Sequence, residues 1–262
     1  MPEGDTIHRA ARTLEKAIGG RAVSRAWSAL EVHRAIESLT GRVVERVEAR
    51  GKHLLVRFDD GRTLHTHMGM EGSWHIYRPG EAWLRAREGA VAVLETEAWV
   101  AVCFEAPLVE LVRAGAEPEL VRRLGPDLLD PDADLDEALA RLRAHGELAI
   151  GEAILRQSIV AGVGNVYKSE ALFLVRADPF AKVGAMDEAT LHELLVVARG
   201  LMRDNLTGRA RTTRRRLRGS RVWVYGRSGR PCFECGTPVR MRRQGDAGRS
   251  TYFCPRCQRA GA

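Results

Sequence analysis

Four of the five cysteines in this 262-residue chain form two short pairs, and their spacing limits what the C-terminal end can fold into. The pairs are Cys232-x2-Cys235 and Cys254-x2-Cys257, with 18 residues between them. Two such knuckles are typical of a tetrahedral zinc site with four thiolate ligands. Because a closed site leaves no open coordination position, we expect one structural zinc ion and no organic cofactor. Disulfide bonds are the alternative, which a chain without a secretory signal disfavours.

The segment between the pairs is typical of a β-hairpin. Val239 and Met241 alternate with arginines, a Gly/Asp turn follows, and two aromatic residues precede the second pair. The fifth cysteine, Cys103 in AVCFE, is predicted to be a buried strand residue. We therefore expect a small module folded around zinc.

Positive charge is concentrated at the same end. Residues 199–262 contain 17 arginines and three acidic residues, a net charge of +14, so residues 1–198 carry −7 within the overall +7. Such a block indicates a polyanionic partner, most often nucleic acid, because the guanidinium fork suits phosphate oxygens. A solvated arginine-rich surface is the alternative. The tract GRARTTRRRLRGSR is expected to be flexible without nucleic acid.

Apolar periodicity predicts an α+β chain. Apolar side chains that recur on one face at helical spacing predict a helix over residues 1–20, with Asp5 as its N-cap and Gly19-Gly20 as its end. Residues 21–124 favour about eight short antiparallel strands in a β-sandwich. The predicted strands include RVVERVEA, KHLLVRF, RTLHTHM, GSWHIY, AVAVLETE, WVAVCFE and PLVELV.

The pattern becomes helical after the Pro/Asp-rich linker GPDLLDPDADLD. The predicted helices are DEALARLRAH, GEAILRQSIV, VYKSEALFLV and DEATLHELLVVARGLMRDN. Before the third of these, Gly162 and Gly164 permit close backbone approach, and Asn165 is predicted to cap the helix. A helix starting at exposed amides can bind phosphate. Glycine needed only for packing is the alternative.

Four separated motifs resemble, in order, those of the formamidopyrimidine-DNA glycosylase/endonuclease VIII (Fpg/Nei) family. They are MPEGDT, RGKHLL, GVGNVYKSE and the C-terminal VYGRSGRPCFECG with STYFCPRC. The resemblance spans the chain and implies a bifunctional DNA glycosylase and AP lyase of base excision repair. It implies a catalytic β-sandwich domain at 1–124, a linker at 125–135, a helix–two-turn–helix domain at 136–221 and a zinc finger at 222–262.

The resemblance also implies the catalytic residues. Met1 is removed, and the α-amine of Pro2 attacks the sugar to form an iminium ion, followed by base loss and β,δ-elimination. A free α-amine has a pKa of about 8, against about 10.4 for lysine, so more of it is unprotonated at pH 7. Glu3 is implied as the proton donor for ring opening, and Lys52 as a phosphate ligand and proton donor. Each of these residues also has an alternative interpretation. Pro2 is then a small residue that only favours removal of Met1, Glu3 a carboxylate favoured at a helix terminus, and Lys52 a solvated surface lysine.

Three further residues are implied to bind DNA. Asn165 holds a phosphate, and Arg249 at the zinc-hairpin tip reaches the backbone near the flipped nucleotide. Met70 in HTHMGMEGSW fills the space left by the flipped base, with a core methionine as the alternative. The implied partner is damaged DNA, bound by a monomer. Since no apolar run reaches 18 residues and no signal peptide is present, we expect no membrane partner and a cytoplasmic, nucleoid-associated bacterial protein.

The chain also departs from the family pattern. Thr6 stands where most relatives have glutamate, and neither an Arg-x-Phe pair nor a long lesion-capping segment is present. These absences favour the endonuclease VIII branch and oxidised pyrimidines, although Gly69-Met70-Glu71 differs from the wedge of that branch. Two alternatives remain open. One is an AP lyase or damage sensor without glycosylase activity, and the other is a non-enzymatic zinc-ribbon protein that binds nucleic acid.

Overall fold

The computed structural model describes residues 2–207, 210–215 and 219–259. Its α-helices are α1 (Gly4–Ile18), α2 (Glu119–Arg122), α3 (Leu135–Arg143), α4 (Ile150–Ala153), α5 (Asn165–Leu174) and α6 (Glu188–Asp204). Its strands are β1 (Arg25–Trp27), β2 (Val44–Arg50), β3 (His53–Phe58), β4 (Thr63–His67), β5 (Ser73–Tyr77), β6 (Ala90–Glu95), β7 (Val100–Phe104), β8 (Leu108–Val112), β9 (Arg240–Gln244) and β10 (Arg249–Phe253). Within these ranges no helix combines the length and hydrophobicity that a membrane crossing requires.

The chain divides into two compact units, Met1–Arg122 and Arg123–Ala262. The first unit contains two four-stranded antiparallel sheets, ordered β1-β6-β7-β5 and β2-β3-β4-β8. They confirm the predicted β-sandwich, and each predicted strand is present. Only β1, three residues long, was not predicted. The finer domain boundaries stay predictions.

Helix α1 packs on β2 and β3 and closes the core of the first unit. Ile7, Leu14 and Ile18 are buried as the periodicity predicts. Glu15 fixes the helix to the sheet edge, because its carboxylate accepts a hydrogen bond from the Val47 amide of β2 at 2.5 Å. The helix stops at Gly19 as predicted. Cys103 lies fully buried on β7, and burial raises the pKa of its thiol.

A separate helical core supports the second unit, formed mainly by α3, α5 and α6. Leu128 and Leu129, in the segment interpreted as a linker, belong to this core. The helix predicted over GEAILRQSIV is wrong in extent, because α4 ends at Ala153. Beyond it, the Gln157 side chain binds the backbone of the following turn instead of continuing a helix.

Two capping predictions are also wrong by one or two residues. Glu3, not Asp5, occupies the N-cap position of α1, and Asp5 lies inside the first turn. Gly164, not Asn165, occupies the N-cap position of α5, and Asn165 is the first helical residue. In neither helix does the N-cap residue make a side-chain capping bond, so local capping preference did not decide where the helix starts.

Candidate active site and DNA-binding elements

Pro2 and Glu3 lie at the beginning of α1. Pro2 is half-buried, and the Glu3 side chain is completely buried. The carbonyl oxygen of Glu3 accepts hydrogen bonds from the amides of Thr6 and Ile7, at 2.9 and 3.2 Å, which starts the helix. The positive end of the helix dipole therefore lies next to residue 2, where it disfavours a protonated amine.

A second carboxylate is buried in the first turn of α1. Asp5 is 0% exposed, lies 3.8 Å from the Arg9 guanidinium and accepts a hydrogen bond from the Thr6 hydroxyl at 3.4 Å. This turn therefore holds two buried carboxylates, those of Glu3 and Asp5. The sequence pattern predicted Asp5 only as an N-cap. It could not show that the Asp5 side chain is completely buried.

Lys52 lies in the two-residue turn that joins β2 to β3. Gly51, the first residue of this turn, has a φ of +58°, a conformation that such hairpin turns require and glycine adopts readily. His53, the next residue, pairs in register with His67 at the end of β4. The Lys52 turn and the loop that follows β4 are therefore at the same end of the sheet.

Three histidines beside Lys52 were missed by the sequence reasoning. Since a carboxylate only accepts, His65 Nδ1 donates to Glu110 Oε1 at 2.6 Å, and His65 Nε2 shares a hydrogen bond with His53 Nδ1 at 2.8 Å. Burial, followed by the effects of His65, His67 and Lys52, lowers the pKa of His53 to about 3. Burial and then Lys52 lower the pKa of His67. His53 and His67 are therefore neutral at pH 7.

Met70 lies on the loop between β4 and β5. Its side chain is 69% exposed, whereas Met68 is buried. The alternative of a core methionine at position 70 is therefore wrong. Gly69 holds the loop close to its neighbour, because a Cβ there would lie 2.7 Å from Cγ of Pro107 and the backbone φ is +57°.

Asn165 presents an unused polar atom at the start of α5. The residue is 7% exposed, and its buried Oδ1 accepts no hydrogen bond from the described residues. The loop before it is fixed by Gln157, whose side chain accepts from the Gly162 amide at 3.0 Å and donates to the Val163 carbonyl at 3.1 Å. Rotating the Asn165 amide would present an NH2 donor, the group that binds a phosphate oxygen.

Two buried charges further along α5 hold the zinc hairpin and the segment before it. Lys168 Nζ donates to the Ser250 carbonyl at 3.0 Å and to the Thr251 hydroxyl at 2.7 Å. The Glu170 carboxylate accepts from three consecutive backbone amides, Trp223–Tyr225, and from the Thr213 hydroxyl. Both side chains are completely buried. The helix that starts at Asn165 thus also positions the finger.

Arg249 begins β10 at the tip of the zinc hairpin, opposite Gln244, and is exposed. Within the arginine tract, Arg211 lies over the Tyr167 ring at 5.0 Å, and Arg214 lies over the Phe233 ring at 3.8 Å. Arg215 pairs with Asp204 at 3.0 Å. The predicted flexibility of this tract concerns in part residues 208–209 and 216–218, which lie outside the described residues.

The four cysteines of the two pairs converge as predicted. Their sulfur atoms all lie within 4.8 Å of one another, with Cys232 and Cys257 3.9 Å apart and Cys235 and Cys254 3.5 Å apart. Four ligands about 2.3 Å from a tetrahedral zinc ion have this mutual separation. The four cysteines therefore fit one structural zinc ion.

Family models match three successive parts of the chain. The family model for the formamidopyrimidine-DNA glycosylase N-terminal domain matches residues 1–107, that for its H2TH domain residues 124–216, and that for the zinc finger found in FPG and IleRS residues 229–260. A Streptomyces coelicolor protein named Probable endonuclease 8 2 is 43% identical, covering 98% of this chain and 94% of the relative. The chain belongs to the Fpg/Nei family.

Other family members give the same assignment. The Mycolicibacterium smegmatis protein named DNA-(apurinic or apyrimidinic site) lyase Nei2 is 37% identical over 99% of this chain and 100% of its own length. The Thermus thermophilus MutM (Fpg) crystal structure covers 100% of both chains with a TM-score of 0.81 and 29% identity. The predicted Fpg/Nei fold, with its helix–two-turn–helix domain and hairpin zinc finger, is thus confirmed.

Proposed function

We propose that this Fpg/Nei protein is a bifunctional DNA glycosylase and AP lyase of base excision repair, with Pro2 as its nucleophile. The observation that carries the proposal is the start of α1, where Pro2 adjoins two completely buried carboxylates, Glu3 and Asp5. Relatives named endonuclease 8 and AP lyase over their full length support the same activity.

The reaction needs an unprotonated amine next to a proton donor. After removal of Met1, the Pro2 nitrogen attacks C1′ of the damaged nucleotide, the bond from C1′ to the base breaks, and the departing base takes up the proton that the proline nitrogen releases. Glu3 protonates the sugar oxygen as the ring opens, which leaves an iminium ion on the proline nitrogen. The iminium ion acidifies the C2′ proton, so β-elimination breaks the C3′–O bond and δ-elimination then breaks the C5′–O bond.

The other proposed residues hold the DNA. Lys52 binds a phosphate near the lesion and supplies a proton, beside rings that are neutral at pH 7. Asn165 and Arg249 bind backbone phosphates, and the exposed Met70 enters the space of the flipped base. We propose that the protein acts as a monomer on damaged DNA.

Oxidised pyrimidines are the proposed base substrates. The connection between β7 and β8 has three residues, 105–107, and contains no arginine. About 20 residues separate the end of α6 from Val224, which leaves no long segment to cover a lesion before the zinc finger. Both observations agree with the sequence features that distinguish this chain from family members directed at oxidised guanine. Two relatives, from Streptomyces coelicolor and Mycobacterium bovis, carry endonuclease 8 names.

A borohydride trap tests the proposal. The protein is incubated with a duplex carrying thymine glycol and reduced, and mass spectrometry identifies the residue that carries the DNA adduct. We expect the adduct on Pro2 and none in a matched protein with one extra residue before Pro2, since an amide nitrogen cannot attack. That control protein should still bind DNA.

The outcomes separate the three candidate functions. An adduct with a plain abasic site but none with thymine glycol would contradict pyrimidine excision and favour the AP lyase. The absence of an adduct with either substrate would contradict the enzyme and leave the nucleic-acid-binding protein. An adduct on Lys52 would contradict the role of Pro2.

A further inference from the structure

An open cavity lies in the first unit on the face of the β1-β6-β7-β5 sheet that is turned away from the main core. It encloses about 500 Å³ and is lined by four arginines, two glutamates and two tryptophans. The sheet face beneath it carries its own apolar cluster, which includes Tyr77, Val93 and Phe104. None of the residues proposed for catalysis or DNA binding lines this cavity.

The aromatic part of the cavity is a ladder of rings and guanidinium groups. The Trp27 and Trp83 rings stack with centroids 5.9 Å apart and an interplanar angle of 15°. The Arg87 guanidinium lies 4.4 Å from the Trp27 centroid and 5.9 Å from the Trp83 centroid. Glu95 holds Trp27 in place by accepting its indole N–H at 2.6 Å.

The charges of the cavity are only partly neutralised. Arg25 lies 3.9 Å from Glu95, a carboxylate already engaged by Trp27, and Arg85 pairs with Glu105 at 2.5 Å. Arg87 forms no ion pair with any described residue and is exposed. With Arg25 beside Glu95 and Arg85 paired with Glu105, the lining still holds two arginines, Arg78 and Arg87, against one glutamate, Glu81, so the cavity carries a net positive charge.

This combination fits one class of ligand. A nucleobase stacks on an indole face, and a guanidinium fork binds its phosphate, which is how proteins hold single-stranded nucleic acid without reading sequence. A volume of about 500 Å³ lies within the range of small-molecule pockets. An apolar ligand would leave the Arg87 guanidinium without an ionic partner. The Trp83 ring also stacks on Tyr77, with centroids 5.9 Å apart, so Trp27 is the indole that can take a base. We propose that this cavity binds a nucleotide, either free or as part of a single DNA strand, with its base on Trp27 and its phosphate on Arg87.

The test is an NMR titration of the full-length protein that observes the indole N–H signals of its five tryptophans. The ligands are thymidine 5′-monophosphate and a thymidine tetranucleotide with a 5′-phosphate. We expect the Trp27 and Trp83 signals to shift with both ligands while that of Trp74, in the main core cluster, does not. Tighter binding of the tetranucleotide would identify a single strand as the ligand, and equal binding would identify the free nucleotide.

Arginine variants make the test specific. Arg87→Ala should weaken nucleotide binding by about tenfold, because it removes a charge-assisted contact. Arg46→Ala is the control, because it also removes an exposed arginine, but from β2 in the other sheet, and it should leave nucleotide binding unchanged. No shift of the Trp27 and Trp83 signals at millimolar ligand, or equal affinity in the two variants, would overturn the proposal. No incision occurs in this titration, so its result is independent of the borohydride trap.

Discussion

The environment of Lys52 distinguishes it from an ordinary lysine in a surface turn. It is half-buried, and the two nearest rings, those of His53 and His67, are neutral at pH 7. Neutral rings can exchange hydrogen bonds with DNA without adding positive charge. Lys52 therefore supplies charge to this turn at a position fixed by a two-residue hairpin.

Replacing Lys52 should impair chemistry more than binding. We expect Lys52→Ala to reduce base excision by about 100-fold, because a positioned proton donor contributes this much. DNA affinity, measured by fluorescence anisotropy, should fall only about threefold, since a single phosphate contact is lost. Arg46→Ala is the matched control on the same hairpin and should change neither quantity. Equal losses of excision and affinity would reduce Lys52 to a phosphate anchor.

Met70 offers a test of base flipping at the scale of one side chain. Because its side chain is 69% exposed, Met70→Ala should leave the free energy of unfolding unchanged. Excision from duplex DNA should fall by about tenfold, since nothing then fills the stack, while excision from a single strand should persist. Val32→Ala, also at an exposed apolar residue, is the control. An equal loss on both substrates would contradict a wedge.

The residues proposed for catalysis were not equally predictable from the sequence. Pro2, Glu3 and Lys52 became candidates through the family resemblance, because nothing in a dipeptide or a lone lysine indicates chemistry by itself. The His53–His65 contact could not be predicted, since it depends on the register between two strands. The alternate spacing of His65 and His67 was the one available signal, because it places both on the same face of β4.

At the scale of elements, the β3–β4 pair should make the protein sensitive to acid. His53 has a pKa of about 3 when folded, against about 6.5 in an unfolded chain. Between these values the unfolded chain binds a proton that the folded protein does not, so the free energy of unfolding falls as the pH decreases from 6.5 towards 3.

Substituting His53 should make the free energy of unfolding less dependent on pH. Urea titrations from pH 7 to pH 4 should give a shallower loss of stability for His53→Gln than for the unsubstituted protein, with His67 retaining part of the slope. The control is His192→Gln at an exposed position on α6. Identical slopes in His53→Gln and the unsubstituted protein would show that His53 does not control how stability depends on pH.

Helix α5 should couple the zinc finger to Asn165, the residue at its start that is proposed to bind a phosphate. Glu170→Gln replaces one carboxylate oxygen by an NH2 group that faces buried donors, so we expect the free energy of unfolding to fall by about 3 kcal/mol. DNA affinity should fall with it. Glu193→Gln on the exposed face of α6 is the control. Unchanged stability in Glu170→Gln would contradict this coupling.

Regular elements were predictable where local pattern and burial agree. The strands with alternating or continuous apolar residues and the long helices α1 and α6 follow the sequence closely. The predicted helix over 151–160 stops early, and Gln157 beyond it donates to the backbone carbonyls of Leu155 and Val163, local side-chain bonds that apolar periodicity does not reveal. The three-residue β1 is too short to show a period.

At the scale of the whole molecule, the uneven charge separates the roles of the two ends. Residues 199–262 carry +14 and residues 1–198 carry −7. Sixteen of these arginines, all except Arg199, follow position 200, and they include the exposed Arg249 at the hairpin tip. We therefore expect DNA affinity to depend mainly on contacts made by this end of the chain with phosphates.

Salt dependence tests that expectation. Each neutralised phosphate releases counterions, so with six or more contacts the affinity should fall by about a thousandfold between 50 and 200 mM salt. Arg249→Ala should lower the slope of log affinity against log salt by about one unit, whatever the DNA sequence, because it removes one phosphate contact. Arg46→Ala, in the acidic part of the chain, should leave the slope unchanged. If the affinity did not change with salt, the basic segment would not be the DNA-binding surface. If Arg249→Ala changed the affinity but not the slope, Arg249 would act through something other than phosphate charge.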